Sequence, residues 1–294
     1  MKVTALIAFY IFSISFGYSQ TKDSIGYSPA KDSTISKKLV APWWVEKFKV
    51  GAGFFLPVND TKIQVGAHGT SSGTEVDFNK DLGFGATIAT FLTNFSWRIS
   101  RRSRINLGYF NMKRSNTHTL QKDITFDTTT YHVNSSVNTY FNSAIYQFSY
   151  GYAIIVKPNY EVGLSIGAHT IGSKTGIALS GNNVGISKEN NFGFTAPLPD
   201  FAVWGGYAFS NRFAGTLDFG YLSMTIGNIS GRILTYNLIF LYKVLPQLDI
   251  VLGYTGLNFQ VNAVKKGVSA DFKWGYNGPS IGASFSFGKK SWVN

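Results

Sequence analysis

The stretch that decides the fold is residues 160–169, which read YEVGLSIGAH. Its even-numbered positions carry Tyr, Val, Leu, Ile and Ala, and its odd-numbered positions carry Glu, Gly, Ser, Gly and His. Successive side chains of a β-strand point to opposite faces, so this alternation is typical of a strand with one apolar face and one polar face.

The same period of two recurs along most of the chain. Residues 213–221 set Phe, Gly, Leu, Phe and Tyr against Ala, Thr, Asp and Gly, and residues 144–154 alternate in the same way. After residue 19 no apolar run reaches the roughly 20 residues that a membrane-spanning helix needs. We predict ten strands, at residues 46–57, 84–98, 103–114, 138–155, 159–172, 198–209, 212–224, 231–244, 247–261 and 272–287.

The breaks between these strands alternate between short and long, as they do on the two sides of a membrane barrel. Tight turns are predicted at 100–102, 157–159, 210–211 and 245–246, and long outward-facing loops at 58–83, 113–137 and 173–197. The sequence therefore predicts an all-β fold, a closed antiparallel transmembrane β-barrel of about ten strands, with eight or twelve strands as alternatives. A soluble exported sandwich would also alternate and is the second fold class.

Composition agrees with a membrane barrel. Charged residues make up 14% of the 294 residues and aromatic residues 16%, while 27 Lys and Arg against 15 Asp and Glu give a net charge of +12. The basic residues form no run of five or six, which argues against a nucleic-acid partner. The absence of cysteine excludes disulfides and thiolate metal sites. Aromatic residues near strand ends, among them Trp43, Trp44, Trp97, Tyr109, Tyr152 and Tyr242, are predicted to form two interfacial girdles.

The N-terminus predicts export. Lys2 precedes an apolar stretch, residues 5–16, and Gly17-Tyr18-Ser19 supplies a small-x-small cleavage site. We predict a signal peptide at 1–19, a flexible periplasmic lead at 20–42 and an outer-membrane barrel at 43–294.

Residues 280–287, SIGASFSF, carry a resemblance to known proteins. The pattern of Gly282, Phe285 and Phe287 resembles the assembly signal of small outer-membrane β-barrel proteins of Gram-negative bacteria, although residues 288–294 continue beyond the last Phe. The resemblance implies an outer-membrane location, contact with outer-membrane lipid, and the barrel-assembly machinery as a partner. We predict a monomer.

The phase of each strand predicts which side chains enter the lumen. Charges of both signs on one inner face should pair, because burying an isolated charge is costly. We expect those beside the short turns to meet at one end, either as a salt-bridged plug or as a selectivity ring. The predicted inner charges are Lys49, Arg98, Arg104, Glu161, Asp200, Arg212, Asp218, Lys243 and Asp249, and His169 is the predicted polar inner residue.

The predicted inner face also carries apolar residues, which indicates either a packed core or a pocket for a small hydrophobic molecule. They are Phe55, Ile88, Leu92, Phe110, Trp204, Leu222, Ile239, Leu241, Val251 and Leu257.

A hydrolase at the barrel rim would need a His beside a carboxylate. The loop 113–137 contains His118, Asp123, Asp127 and His132, but on one continuous strand the two His would face away from the two Asp. We therefore predict no catalytic residue, and the scattered His residues predict no metal site and no cofactor.

Three functional hypotheses follow. The first is a passive channel or transporter of a small molecule, with a hydrophobic molecule as one option. The second is a plugged structural barrel whose extracellular loops bind a partner. The third is a rim-site hydrolase, of the protease or lipid A deacylase type.

Overall fold

The computed structural model describes residues 41–67, 75–85, 87–126, 129–180, 189–227, 229–265 and 268–290. The predicted signal peptide and residues 20–40 of the predicted lead lie outside the described residues. No helix in the described part is long and apolar enough to cross a membrane. The strands of the described part are β1 (Phe48–Phe55), β2 (Val58–Ala67), β3 (Val76–Asp77), β4 (Thr90–Arg98), β5 (Ser103–Thr119), β6 (Ile124–Phe126), β7 (Thr129–Tyr131), β8 (Ser136–Val156), β9 (Tyr160–Leu179), β10 (Glu189–Ala208), β11 (Phe213–Ile226), β12 (Ile229–Leu245), β13 (Leu248–Lys265) and β14 (Val268–Phe287).

Ten wall strands form an antiparallel ring. Neighbours pair in the order β1, β4, β5, β8, β9, β10, β11, β12, β13 and β14. β1 pairs in turn with β14, from Phe48 opposite Phe287 to Phe55 opposite Ser280. The prediction of an antiparallel barrel with about ten strands is confirmed.

β2 continues β1 as one wall strand. Both pair with β14 in the same register, since Phe55 lies opposite Ser280 and Val58 lies opposite Asn277. The interruption falls at Pro57, which has no N–H to give to the ladder. β3 borders β2, and β6 pairs with β7 in a separate hairpin.

We call the lower half the part of the barrel between the short connections (99–102, 157–159, 209–212 and 246–247) and a ring of tyrosines. The outward side chains of the lower half are apolar, with exposures of 62% for Phe54, 51% for Ile166 and 52% for Leu252. A lipid-facing band flanked by aromatic side chains has this composition. The tyrosine ring is Tyr109, Tyr146, Tyr221, Tyr236 and Tyr254, and the opposite girdle includes Trp97, Tyr152, Tyr207, Tyr242 and Phe287.

The residues of the C-terminal pattern lie in β14. Phe285 and Phe287 are exposed on the outer surface of the band. Gly282 lies opposite Gly53 of β1, and a Cβ at Gly282 would lie 2.4 Å from the Ala52 carbonyl oxygen. A side chain at this position would push the two strands apart.

We call the upper half the part of the barrel beyond the tyrosine ring. Its outward side chains are polar, and its inward side chains are apolar. The predicted loops were too long here, because β2 fills part of 58–83, β5 and β8 extend into 113–137, and β9 and β10 extend into 173–197. The polar residues that suggested loops lie on the outer face of the strands, among them Asp60, Lys113 and Lys174.

Candidate functional site: the barrel interior

Glu161 binds two arginines at the short-turn end. Its side chain is fully buried, and its two oxygens lie 2.5 Å from Arg98 Nη2 and 2.7 Å from Arg101 Nη1. Arg101 was not predicted, because it lies in a turn where strand alternation says nothing about direction. The only indication in the sequence was that Arg101 follows Arg98 by three residues, which allows both side chains to reach the same carboxylate. Breaking such a buried cluster would leave a charge without a partner.

Arg104 lies directly above this cluster and stacks on Trp204. The guanidinium carbon lies 3.6 Å from the centre of the indole ring, and Nη2 lies 3.3 Å from Asp218 Oδ1. Trp204 is buried, and its indole N–H donates to the Leu164 carbonyl at 3.2 Å. Gly163 makes room for the ring, since a Cβ there would lie 2.5 Å from Trp204 Cζ2.

The remaining predicted charges divide into separate groups and do not form one network. Lys49 Nζ lies 2.9 Å from Asp249 Oδ2, which also accepts from Ser284. Lys243 instead lies over the ring of Trp43, with Nζ 4.4 Å from the ring centre. The prediction for Arg212 was wrong, because this residue lies in the 209–212 turn and its side chain is exposed.

Residues 41–46 fold under the short-turn end. Trp44 is 7% exposed and packs with Val45, Ala214 and Leu241 inside the barrel mouth. Trp44 therefore does not belong to the predicted interfacial girdle. Trp43 anchors the segment by donating from its indole N–H to the Ser210 carbonyl at 2.8 Å. The signal that could have found this seal was an apolar run, residues 41–45, at the end of a polar segment.

An apolar cluster closes the lumen in the upper half. The segment between β3 and β4 inserts Phe78 and Phe84 against Phe141, whose ring also packs on Trp274. The cluster contains several of the predicted apolar inner residues. Phe55, Phe110 and Leu257 belong to it, and Ile88, Leu92 and Leu222 pack against it.

Polar contacts fix the inserted segment to β5. Arg114 Nη2 donates to Asn79 Oδ1 at 2.6 Å and to the Gly85 carbonyl at 2.7 Å. Asn116 donates to the carbonyls of Leu82 and Gly83. The sequence did not predict this inward fold, because residues 75–83 lack a strand period and fall in the predicted outer loop 58–83. The predicted strand 84–98 begins only at Thr90, so residues 84–85 also belong to the inserted segment.

Between the two seals lies a chamber of about 330 Å³. Asp200 and Asp218 come from the adjacent strands β10 and β11, and His169 of β9 lies beside Asp200. Arg104 lines the same space, and apolar rings form its upper boundary. The polar lining includes Asn94, Asn106, Gln147, Ser149, Ser165, Thr235, Asn237 and Thr255.

Asp123 and His132 meet outside the barrel, which the sequence analysis did not predict. Their Oδ2 and Nδ1 atoms lie 3.3 Å apart, because β6 and β7 form a hairpin rather than one continuous strand. The Val133 N–H donates to Asp123 at 2.7 Å and, with His132, lowers the pKa of that carboxyl. Both side chains are more than half exposed. Across the described residues no group of three His, Cys, Asp or Glu is placed to hold a metal ion.

Comparison with known proteins identifies a fold rather than a family. No protein-family model and no curated protein matches the chain. The outer membrane protease OmpT from Escherichia coli aligns with a TM-score of 0.52 at 14% identity, over 82% of this chain and 96% of OmpT.

Two further solved structures are more distant. The translocator domain of the autotransporter NalP from Neisseria meningitidis aligns with a TM-score of 0.38 at 10% identity, over 82% of this chain and 89% of that domain. The toluene transporter TodX from Pseudomonas putida aligns with a TM-score of 0.33 at 9% identity, over 83% of this chain and 90% of TodX. The resemblance to outer-membrane barrels is confirmed at the level of the fold, and this chain is a ten-stranded β-barrel with the fold of OmpT.

Proposed function

We propose that the protein is a closed barrel of the bacterial outer membrane that presents its upper half at the cell surface. The apolar band of the lower half supports insertion in lipid. Short turns of such barrels face the periplasm, which directs the upper half outward. Outer-membrane lipid and the barrel-assembly machinery are the partners that this topology requires.

The observation that carries the proposal is the presence of packed side-chain clusters at both ends of the lumen. Trp44 and the Glu161 cluster occupy the short-turn end, and Phe78, Phe84 and Phe141 occupy the upper half. Barrels of about eight to ten strands are narrow enough to be filled by their own side chains. A passive pore would need a continuous polar path past both clusters, so their packing supports a closed lumen.

The strands of the upper half form a scaffold. There β8, β9 and β10 are paired through most of their length, whereas the pairing of β10 with β11 stops at Phe201 opposite Tyr221. The strands surround an apolar cluster, as in a soluble domain. Binding residues in loops gain precision when a rigid scaffold positions them. We therefore assign partner recognition to the connections of the upper half.

Planar-bilayer conductance tests the closed state. The refolded mature chain should insert without unitary current steps, and a heat-modifiable band in electrophoresis should show that it is folded. Stable steps in the parent protein would overturn the closed-barrel proposal.

Surface labelling tests the orientation. The chain has no cysteine, so Lys174→Cys and Lys157→Cys each introduce a single thiol. Lys174 is exposed in the upper half, and Lys157 is exposed in a short turn. A membrane-impermeant maleimide should label Lys174→Cys on intact cells and label Lys157→Cys only after the outer membrane is opened. The reverse pattern would place the upper half in the periplasm.

Small-molecule transport is the second candidate function. The chamber between the seals favours it, since a solute could be held there before one seal opens. This mechanism requires a second conformation of Trp44 or of the segment carrying Phe78.

A further inference from the structure

The chamber has the size of a small-molecule site. Its volume of about 330 Å³ falls at the lower end of the range for ligand pockets. Side-chain clusters lie above and below this space, the Phe141 cluster in the upper half and the Glu161 cluster at the short-turn end.

One of the two carboxylates that line the chamber has no direct cationic partner among the described residues. Asp218 is paired with Arg104, but its side chain is 39% exposed, and this exposed surface faces the chamber that it lines. Asp200 has no Lys or Arg within ion-pair distance among the described residues. Asp200 is therefore a carboxylate of the chamber wall that no Lys or Arg contacts directly in the described part of the chain.

His169 supplies a second, independent indication of a ligand. It is 5% exposed, and in the described part of the chain its Nδ1 has no hydrogen-bond partner. The nearest carboxylate oxygen, Asp200 Oδ1, lies 3.8 Å away, which exceeds hydrogen-bond length. A buried ring nitrogen without a partner is costly unless a bound molecule or water satisfies it.

The backbone is shaped to keep this corner open. Gly220 lies in β11, two residues after Asp218 and opposite Ala202 of β10. A Cβ at Gly220 would lie 2.9 Å from Asp200 Oδ2 and 2.5 Å from Thr235 Oγ1. Glycine at this position therefore leaves room for the carboxylate to point into the chamber.

We propose that the chamber binds a small polar molecule that carries one protonated amine. The ammonium group donates to Asp200, and charge-assisted hydrogen bonds of this kind are stronger than neutral ones. His169 Nδ1 and the hydroxyl and amide groups of the wall bond the polar remainder of the molecule. This site does not depend on whether a solute crosses the barrel.

Equilibrium dialysis with three labelled probes tests the proposal. The probes are 3-amino-1-propanol, its neutral isostere 1,3-propanediol and the anion 3-hydroxypropionate, each incubated with the refolded mature chain in detergent micelles until binding is constant. We expect one saturable site for the amine and binding at least about tenfold weaker for the other two, because only the amine can neutralise the unpaired carboxylate.

Variants locate the site. Asp200→Asn should weaken amine binding at least about tenfold, since it removes the charge and keeps the shape. Asp60→Asn is the matched control, because Asp60 is exposed on the outer face, and its affinity should equal that of the parent. The heat-modifiable band shows that each variant is folded.

Three results would overturn the proposal. They are equal binding of 1,3-propanediol and the amine, equal loss in Asp60→Asn and Asp200→Asn, and no saturable binding to a folded parent. Equilibrium dialysis and planar-bilayer conductance test the two proposals separately. Absence of amine binding leaves the closed-barrel proposal intact, and current steps in the bilayer leave the amine site intact.

Discussion

The two halves of the barrel distribute polar and apolar side chains in opposite ways. The lower half is apolar outside and carries Glu161, Arg104 and Asp218 inside. The upper half is polar outside and encloses Phe141 and Trp274. The strands β5 and β8 to β14 run through both halves without interruption.

This difference teaches that the surrounding solvent, rather than the strand, decides which face is apolar. Hydrocarbon around the lower half makes exposed apolar side chains inexpensive, and the inner polar groups then need one another. Water around the upper half restores the ordinary rule that apolar side chains pack inside. The four predictions below test this division.

The largest effect is expected from Phe141→Ala in the upper half. Phe141 is fully buried, and its ring centre lies 5.6 Å from that of Phe78 and 5.5 Å from that of Trp274. Its removal leaves a cavity and should lower the free energy of unfolding by about 3–5 kcal/mol. Urea unfolding in micelles measures this loss. Phe148→Ala, on the outer face of the same strand, should cost much less because detergent fills the space, and equal losses would contradict the division.

A loss of about 3 kcal/mol is expected from Glu161→Gln in the lower half. The variant leaves Arg98 and Arg101 buried without a counter-charge. The same urea series measures it. Glu75→Gln is the control, because Glu75 is exposed and its contact with Lys273 is 3.7 Å long, so its unfolding midpoint should match that of the parent. Matching midpoints for both variants would show that the lower half does not need its paired charges.

A loss of about 2 kcal/mol is expected from Gly163→Ala. The new Cβ would lie 2.3 Å from the Tyr152 carbonyl oxygen and 2.5 Å from Trp204 Cζ2, so the backbone and the indole must shift. The tryptophan fluorescence of the chain and its unfolding midpoint should both change. In the upper half, Gly231→Ala meets its nearest atom at 3.7 Å and should change neither. Similar behaviour of the two variants would argue against tight packing around Trp204.

The smallest effect is expected at Asp123, outside both halves. The folded protein favours the carboxylate, because Val133 and His132 contact it and lower its pKa. The contribution of this contact to stability is therefore present above the ordinary carboxyl pKa and is lost as the pH falls through the lowered value. Carboxyl NMR titration should give a midpoint below that of an unstructured Asp, and His132→Asn should raise it. An unchanged midpoint in the variant would rule out the contact.

The direction of a side chain in a regular strand depends only on its neighbours in the sequence, so the inner and outer faces of the strands could be predicted from the sequence. The period of two in 160–169 is sufficient to place Glu161 and His169 on one face, whatever the rest of the chain does. The ring and its short turns follow from ten repetitions of that pattern. The same alternation places Lys49 and Asp249 on the inner face, where they form an ion pair.

Contacts made by irregular segments could not be predicted in this way. Trp44 and Phe78 reach the lumen from segments without a period, so only the assembled barrel defines where they pack. Arg212 shows the converse error, because a phase counted from β11 was extended into a turn where it no longer holds. His132 meets Asp123 because the chain reverses between them, which a single-strand reading excludes.

The pairing of β1 with β14 has a consequence for how the chain assembles. Every other wall contact joins wall strands that follow one another along the chain, whereas this seam joins β1 and its continuation β2 to the last strand, β14. Contacts between distant parts of a sequence form slowly, because a long loop must close before they are made. Closing the seam should therefore be the late step of folding. The same seam brings the two ends of the barrel sequence together, since Phe48 lies opposite Phe287. A circular permutant can therefore link Phe48 to Phe287 through a short connection and open the chain at 157–159. We expect it to retain every strand pair.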